Sequence, residues 1–314
     1  MSFLTVCLNP TLQKTLRFSS ITPGAVNRTG DHRLDVSGKG INVTRVLTQL
    51  GKKALHLTQL GGVMRPLFLS LCEQDGLSVE WLESGSQIRF CYTVLTNDDG
   101  KTTELVEDQK AVNGGIMEQV EQRLLEKFDS ILCDASMGIQ CLIISGTKAA
   151  GFSGAVIPYM TRKAKEKGLR VILDIKGRDL TESLQYEPDF VKPNLFEFAA
   201  TFAPDLIKDN GFAINNDAVK ERIKSTLIDT AQKYGSRVIL TDGSRKILAA
   251  DREKIFEVEF KPVKAVNATG CGDAFTAGLA AALDDGAHFS AAIGEGIRCG
   301  ALNAALVKPG VIRA

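Results

Sequence analysis

The chain predicts a doubly wound, mostly parallel α/β sheet flanked by helices, with a small β-sheet lid. Three observations carry that expectation. Short apolar segments of strand length alternate with amphipathic segments of helix length along most of the 314 residues, the rhythm of right-handed βαβ units. Two stretches, about 12–36 and 88–108, break this rhythm by alternating polar and apolar residues, which suits a small antiparallel sheet with one wet face. No internal repeat and no Pro/Ser-rich linker divides the sequence, so residues 1–314 read as one domain with the lid strands inserted into it.

Phe3–Leu8 is a continuous apolar run and reads as a buried strand, and Ile41–Leu50 has helical periodicity and stops at Gly51. Ala54–Leu60 is again strand-like and is followed by a helix near Pro66–Gln74. Within the second interruption, Asn97-Asp98-Asp99-Gly100 carries a hairpin-turn signal. The alternation then resumes with helix 116–127, strand 141–144, helix 155–167, and strands 169–175 and 190–192. Helix 217–234, strand 237–241, the strand pair 247–250 and 255–260, and two closing helices complete the set.

Thirty-eight basic and thirty-seven acidic residues nearly cancel, so no global field recruits nucleic acid or a membrane surface. No apolar run approaches membrane-spanning length, and the first residues lack the charge-plus-apolar pattern of a signal peptide. The seven cysteines are scattered, odd in number and never in a CxxC pair, and only three histidines accompany them. That usage argues against a zinc site and for a reduced, cytoplasmic setting. Cys271 at a helix start is the one thiol placed for activation, but no His or Lys flanks it, so it reads as a small filler.

The segment Asn267-Ala268-Thr269-Gly270-Cys271-Gly272-Asp273-Ala274-Phe275 sets two glycines and an acid at the mouth of a helix running from about 273 to 283. Uncovered backbone amides at Gly270 and Gly272 and the positive helix end make an anion site, with the Asp273 carboxylate beside it. Alcohol-to-phosphate transfer needs that pairing of a base with a cradle for phosphoryl oxygens. A glycine turn with an acid in the first helical turn accounts for the same residues.

Four further clusters bear on chemistry. Ser37-Gly38-Lys39-Gly40-Ile41-Asn42 again opens a helix with glycines, where Lys39 and Asn42 can donate to a polyhydroxyl or anionic ligand. In Lys192-Pro193-Asn194-Leu195-Phe196-Glu197, Asn194 and Glu197 share a helical face after a strand, which fits either outer-shell magnesium or a capping box. Thr241-Asp242-Gly243 follows a buried strand and allows close approach of a nucleotide. Arg28 and Arg89, one in each lid stretch, can clamp a phosphate or stand as solvated charges. No GxxxxGK[S/T] occurs, and Gly270-Cys271-Gly272 lacks the third glycine of a dinucleotide fingerprint.

In this order, Cys7-Leu8-Asn9-Pro10, Ser37 through Asn42, Lys192-Pro193-Asn194 with Glu197, and Asn267 through Asp273 resemble the PfkB branch of the ribokinase-like sugar kinases, over nearly the whole chain. Pro23-Gly24-Ala25-Val26-Asn27-Arg28, followed by Arg33-Leu34-Asp35, and Asn267 itself are similar to the 1-phosphofructokinase and tagatose-6-phosphate kinase subgroup. The resemblance implies ATP and Mg²⁺ as cofactors and Asp273 as base toward the γ-phosphate, with the backbone of Gly270, Cys271 and Gly272 as anion hole. It implies that Gly38, Lys39 and Asn42 hold the sugar phosphate, with Arg28 and Arg89 toward its phosphate end. Asn194 and Glu197 would organise Mg²⁺, Glu197 through water, while Thr241, Gly243 and Asn303 line the nucleotide site. It also implies a homodimer formed through the lid.

Departures fall on the sugar side. Gln13 stands where the subgroup carries an Asp that binds sugar hydroxyls, so Gln13 contacts substrate with an amide instead. Ser37 replaces a glycine, Val106 and Gln109 replace an Asn and a Gly, and Ser145-Gly146-Thr147-Lys148-Ala149-Ala150 replaces Ser-Gly-Ser-Leu-Pro-Pro. The expectation is therefore an ATP-dependent kinase of a phosphorylated ketohexose, most like a 1-phosphofructokinase. A tagatose-6-phosphate kinase or a kinase of another sugar is the alternative, and a non-catalytic sugar-phosphate sensor the rival of a different class.

Overall fold

The computed structural model describes residues 2–97, 102–108, 111, 114–208, 211–212 and 217–313. Its elements begin with β1 (Ser2–Val6), β2 (Thr11–Phe18), β3 (His32–Ser37), α1 (Lys39–Gln49), β4 (Lys53–Leu60), α2 (Arg65–Gln74), β5 (Ser78–Glu83), β6 (Arg89–Thr96) and β7 (Thr102–Val106). They continue with α3 (Gly114–Cys133), β8 (Ile139–Ser145), α4 (Val156–Glu166), β9 (Arg170–Asp174), α5 (Gly177–Ser183), β10 (Phe190–Val191) and α6 (Leu195–Phe202). The short pair β11 (Ile207–Lys208) and β12 (Gly211–Phe212) precedes α7 (Asp217–Tyr234), β13 (Arg237–Thr241), β14 (Lys246–Ala250), β15 (Ile255–Glu259), α8 (Cys271–Asp284) and α9 (Phe289–Ala304). Contacts group the chain into two compact units, one of residues Met1–Leu4, Leu125–Thr147 and Ser153–Pro262, the other of Thr5–Leu124, Lys148–Phe152 and Val263–Ala314.

In the first unit the strands lie in the order β15-β14-β13-β10-β9-β8-β1. β8, β9, β10 and β13 pair in parallel, and β14 and β15 extend the edge antiparallel. Cys141–Ile144, Val171–Leu173 and Val238–Leu240 are buried, as continuous apolar runs covered on both faces must be. α4 packs on β9, and α7 on β13 and β14.

In the second unit β4 pairs in parallel with β5, and α1 packs on β4 and α8. α8 and α9 approach closely because glycines face the neighbouring helix: a Cβ at Gly278 would lie 2.8 Å from Cys299 Sγ, and one at Gly296 2.9 Å from the Phe275 ring. The same unit carries the four-stranded sheet β3-β2-β6-β7. One face of that sheet is apolar, and Leu12 and Val36 join Ile41, Leu60, Phe68, Cys72, Leu77 and Ile88 in a single core. The other face buries Thr11, Gln13, Thr15, Asp35 and Thr93.

Three differences from the sequence reading have physical reasons. The small sheet is mixed, not antiparallel, because β2 and β6 pair in parallel from Thr11↔Arg89 to Phe18↔Thr96. The two strands come from separate insertions, so no hairpin dictates their direction. α3 runs to Cys133, beyond residue 127, because Phe128 and Ile131 keep an apolar stripe buried. β5 and α5 carry too little periodicity to be read from the chain, and both take their form from neighbours, β5 by pairing with β4 and α5 by packing on α4 and α6. Of the predicted hairpin turn, residues 98–100 lie outside the described residues, as does Gln109.

Candidate active site

The loop that enters α8, 267–272, is built around residues too small to shield its backbone. Gly270 is the N-cap of α8, with φ 84°, the left-handed region that glycine enters without steric cost. A Cβ there would sit 2.7 Å from the Gly310 amide nitrogen, so the loop and the C-terminal segment meet backbone to backbone. Asn267, 1% exposed, accepts the Thr269 amide on Oδ1 at 3.0 Å and donates from Nδ2 to the Val307 carbonyl at 2.8 Å. The Cys271 amide donates to the Ala268 carbonyl at 3.3 Å, and the first-turn amides that follow it have no carbonyl one turn back within the helix, which leaves the N-terminus of α8 suited to an anion.

Asp273 occupies that first turn and is buried at 6% exposure. Asn42, from the first turn of α1, donates from Nδ2 to Asp273 Oδ2 at 2.7 Å. The far end of the Asn42 amide is held too, since Oδ1 accepts from Arg45 Nη1 at 3.1 Å and from Ser37 Oγ at 3.3 Å. A carboxylate only accepts, so the amide nitrogen must be the end that faces it. α1 can lie this close to Cys7 and to His56 of β4 because Gly40 has no side chain: a Cβ there would be 2.7 Å from both Cys7 Cβ and His56 Cε1. Gly38, at φ 110°, is the N-cap of α1, and Lys39 follows it half-buried.

On the polar face of the small sheet, Gln13 Nε2 donates to Thr93 Oγ1 at 2.8 Å, with Asp35 opposite Gln13 on the neighbouring strand. Arg89 at the start of β6 donates from Nε to Thr11 Oγ1 at 3.1 Å, whereas Arg28 is exposed on the loop between β2 and β3. Asn303, assigned from sequence to the nucleotide site, is instead fully buried with its amide taken up by the chain. It donates to the Thr269 carbonyl at 2.9 Å and Cys271 Sγ at 3.3 Å, and accepts from the amides of Gly310 and Val311 at 2.7 and 3.2 Å. Burial pushes the Cys271 thiol up, the direction of a filler rather than an activated nucleophile.

In the first unit, Asn194 and Glu197 form a full capping box at the start of α6. Asn194 Oδ1 accepts the Glu197 amide at 2.7 Å, and Glu197 Oε2 accepts the Asn194 amide at 3.1 Å. Glu197 Oε1 lies 3.6 Å from Lys176 Nζ. Thr241 bridges to Asn194 at the carboxyl ends of β13 and β10, and Gly243 follows at φ 57° with open space around it. Thr241, Gly243, Asn194 and Glu197 are thus one group, where open α/β sheets bind ligands. Among the described residues no three His, Cys, Asp or Glu side chains cluster as a metal-holding set. The half-buried Glu197 carboxylate fits the outer sphere of a magnesium ion held mainly by phosphates and water.

A family model for pfkB family carbohydrate kinases matches residues 8–310. The chain belongs to that family. A tagatose-6-phosphate kinase from Staphylococcus epidermidis is 26% identical over 282 residues, covering 89% of this chain and 84% of the relative. Among solved structures, a possible 1-phosphofructokinase from Thermotoga maritima superposes with a TM-score of 0.81 at 20% identity, covering 98% of this chain and 93% of that one. Phosphofructokinase-2 from Escherichia coli, in complex with substrates and products, gives 0.79 at 23% identity, covering 97% and 93%. The fold is therefore ribokinase-like, and the chain is a carbohydrate kinase of the PfkB family.

Three contacts of this PfkB-family kinase escaped the sequence reading. Arg45 is 2% exposed and reaches the Asn42 amide; in the sequence it reads as an ordinary helical position between Asn42 and Leu47. Lys192 and Asp174 are 2% and 1% exposed and form an ion pair at 3.1 Å beneath the Asn194 group. Glu104 of β7 accepts from Thr269 Oγ1 at 2.9 Å, tying the small sheet to the transfer loop across 165 positions of sequence, a distance no local signal spans.

Proposed function

We propose that this kinase transfers the γ-phosphate of ATP to a hydroxyl of a phosphorylated ketohexose, most like a 1-phosphofructokinase. The observation that carries the reading is the buried Asp273 held by Asn42 at the glycine-opened N-terminus of α8. Asp273 takes the acceptor's hydroxyl proton as that oxygen bonds to the γ-phosphorus and the bond to the ADP oxygen breaks. The backbone of Gly270, Cys271 and Gly272 faces the oxygens where charge gathers. Gly38, Lys39, Asn42, Gln13 and Arg89, with Arg28 from its loop, hold the sugar phosphate, while Asn194, Thr241 and Gly243 hold the nucleotide. Asn303 braces the loop. Mg²⁺, when bound beside Glu197, neutralises phosphate charge.

Residues 1–314 act as one kinase domain, with the four-stranded sheet as its lid and as the contact of a homodimer in the cytoplasm. Leu105 and Val106, 56% and 51% exposed on β7, support the dimer. Tagatose 6-phosphate is the second acceptor, favoured by the relative of that name; Gln13 in place of an Asp favours instead a kinase of another sugar.

The test is ATP turnover, coupled to ADP detection, across fructose 1-phosphate, fructose 6-phosphate, tagatose 6-phosphate and the free sugars. Fructose 1-phosphate is expected to give the highest kcat/KM. Highest turnover on a free sugar overturns the phosphorylated acceptor, and turnover on none overturns the catalytic reading in favour of a sensor.

A further inference from the structure

Arg45 ties α1 to Asp75, to β3 and to the C-terminal segment. Its Nε donates to Asp75 Oδ2 at 2.9 Å, its Nη2 to the Val36 carbonyl at 2.6 Å, and its Nη1 to both Asn42 Oδ1 and the Pro309 carbonyl at 3.1 Å. Asp75 is itself gripped by Lys308, which lies 3.5 Å from Asp35, and Asp35 takes a two-point contact from Arg33. Arg45 is 2% exposed, and its planar guanidinium fork fixes donors toward α1, β3 and the C-terminal segment at once.

An asparagine amide has two orientations with almost the same shape and opposite chemistry. With Oδ1 toward Arg45 and Nδ2 toward Asp273, both ends are satisfied. Turned over, an NH₂ would face a guanidinium and a carbonyl oxygen would face a carboxylate, leaving donors against donors and acceptors against acceptors in a buried site. Ser37, at 3.3 Å, is the weaker support for the same orientation.

From this we infer that Arg45 is a positioning residue for phosphoryl transfer: it locks the Asn42 amide so that Asn42 holds the Asp273 carboxylate in its reacting place. The inference rests on Asp273 being the base. Arg45 touches neither the acceptor nor ATP in this role, so its loss acts on kcat through Asn42. A simple brace between α1, β3 and the C-terminal segment would lower stability and leave the folded enzyme's kcat alone.

A double-mutant cycle separates the two roles. Arg45→Met, Asn42→Ala and the double variant are assayed with ATP and fructose 1-phosphate, or tagatose 6-phosphate if it turns over faster, and melted in parallel. Arg45→Met alone is expected to lower kcat about 10-fold, with KM for ATP within about twofold. In the Asn42→Ala background it should lower kcat by less than about twofold, while its effect on Tm stays the same. Equal fold-losses in both backgrounds, or a lower Tm with unchanged kcat, overturn the inference. If Arg45→Met does not fold, Arg45→Lys takes its place, with a loss of about threefold beside Asn42 and none in the Asn42→Ala background; equal losses again overturn it. Activity surviving in Asp273→Asn overturns the base itself. Loss there combined with additive Arg45 and Asn42 effects overturns only the positioning role.

Discussion

Asn42 and Asp273, separated by 231 positions in the chain, meet at 2.7 Å, with the amide nitrogen donating to the carboxylate. The contact joins the glycine-opened starts of α1 and α8, two helix N-termini built alike from the sequence Gly-x-Gly. A carboxylate held this way points one fixed direction, which is what proton abstraction in a phosphoryl transfer requires.

Asp273→Asn removes the proton acceptor and keeps the shape. Turnover is expected to fall by about 10²–10⁴, with ATP affinity measured by calorimetry largely kept. Activity within about tenfold of the parent enzyme would show that another group takes the proton.

Gly310 tests how closely the C-terminal segment is fitted to the site. It stands at φ 67°, and a Cβ there would lie 2.6 Å from Asn42 Cβ. Gly310→Ala should therefore displace Asn42, lowering kcat at least about tenfold. It should also destabilise by about 1–3 kcal/mol. Gly286→Ala is the comparison, since φ 85° there is accompanied by open space. It should cost only the backbone strain, about 1 kcal/mol by thermal melting, with kcat unchanged. Similar kcat values for the two variants would refute the fitted contact.

His56 makes stability depend on acid. It is buried against Thr5, whose Oγ1 lies 2.8 Å from Nδ1, and burial lowers its pKa from 6.5 to about 3. The unfolded chain thus binds a proton below 6.5 that the folded chain refuses down to about 3. The stability associated with the neutral ring is complete above pH 6.5 and falls as the pH drops toward 3. Relative to His56→Gln, the parent should lose about 2 kcal/mol between pH 7 and pH 5 in urea unfolding. Parallel curves for the two proteins would exclude His56 as the source.

Lys192 and Asp174 form a pair that neither residue can leave. Lys192→Met abandons a buried carboxylate and should cost about 3–5 kcal/mol in urea unfolding. Combining Lys192→Met with Asp174→Leu should recover most of that stability, because no charge is then left unpaired. If the single change costs under about 1 kcal/mol, the pair is not carrying the carboxyl ends of β9 and β10.

Much of the site was legible in the chain because its chemistry is local. Gly270, Gly272 and Asp273 lie within four residues, and their spacing alone places an acid beside uncovered amides at a helix start. Gly38 and Asn42 follow the same logic, and the i, i+3 spacing of Asn194 and Glu197 fits the capping box that the structure contains. The parallel strands announced themselves as buried apolar runs, and the two lid stretches as alternating ones.

Tertiary structure decided what those groups do to one another. Only folding reveals that Asn42 is turned to Asp273, that Arg45 holds its other end, and that Asn303 braces the loop before α8. The parallel pairing of β2 with β6, and the ties from Glu104 to Thr269 and from Gln13 to Thr93, were equally invisible. The reason is physical: helix starts, turns and buried runs depend on neighbours a few residues away. The orientation of a polar side chain depends on which donors and acceptors the fold brings to its two ends.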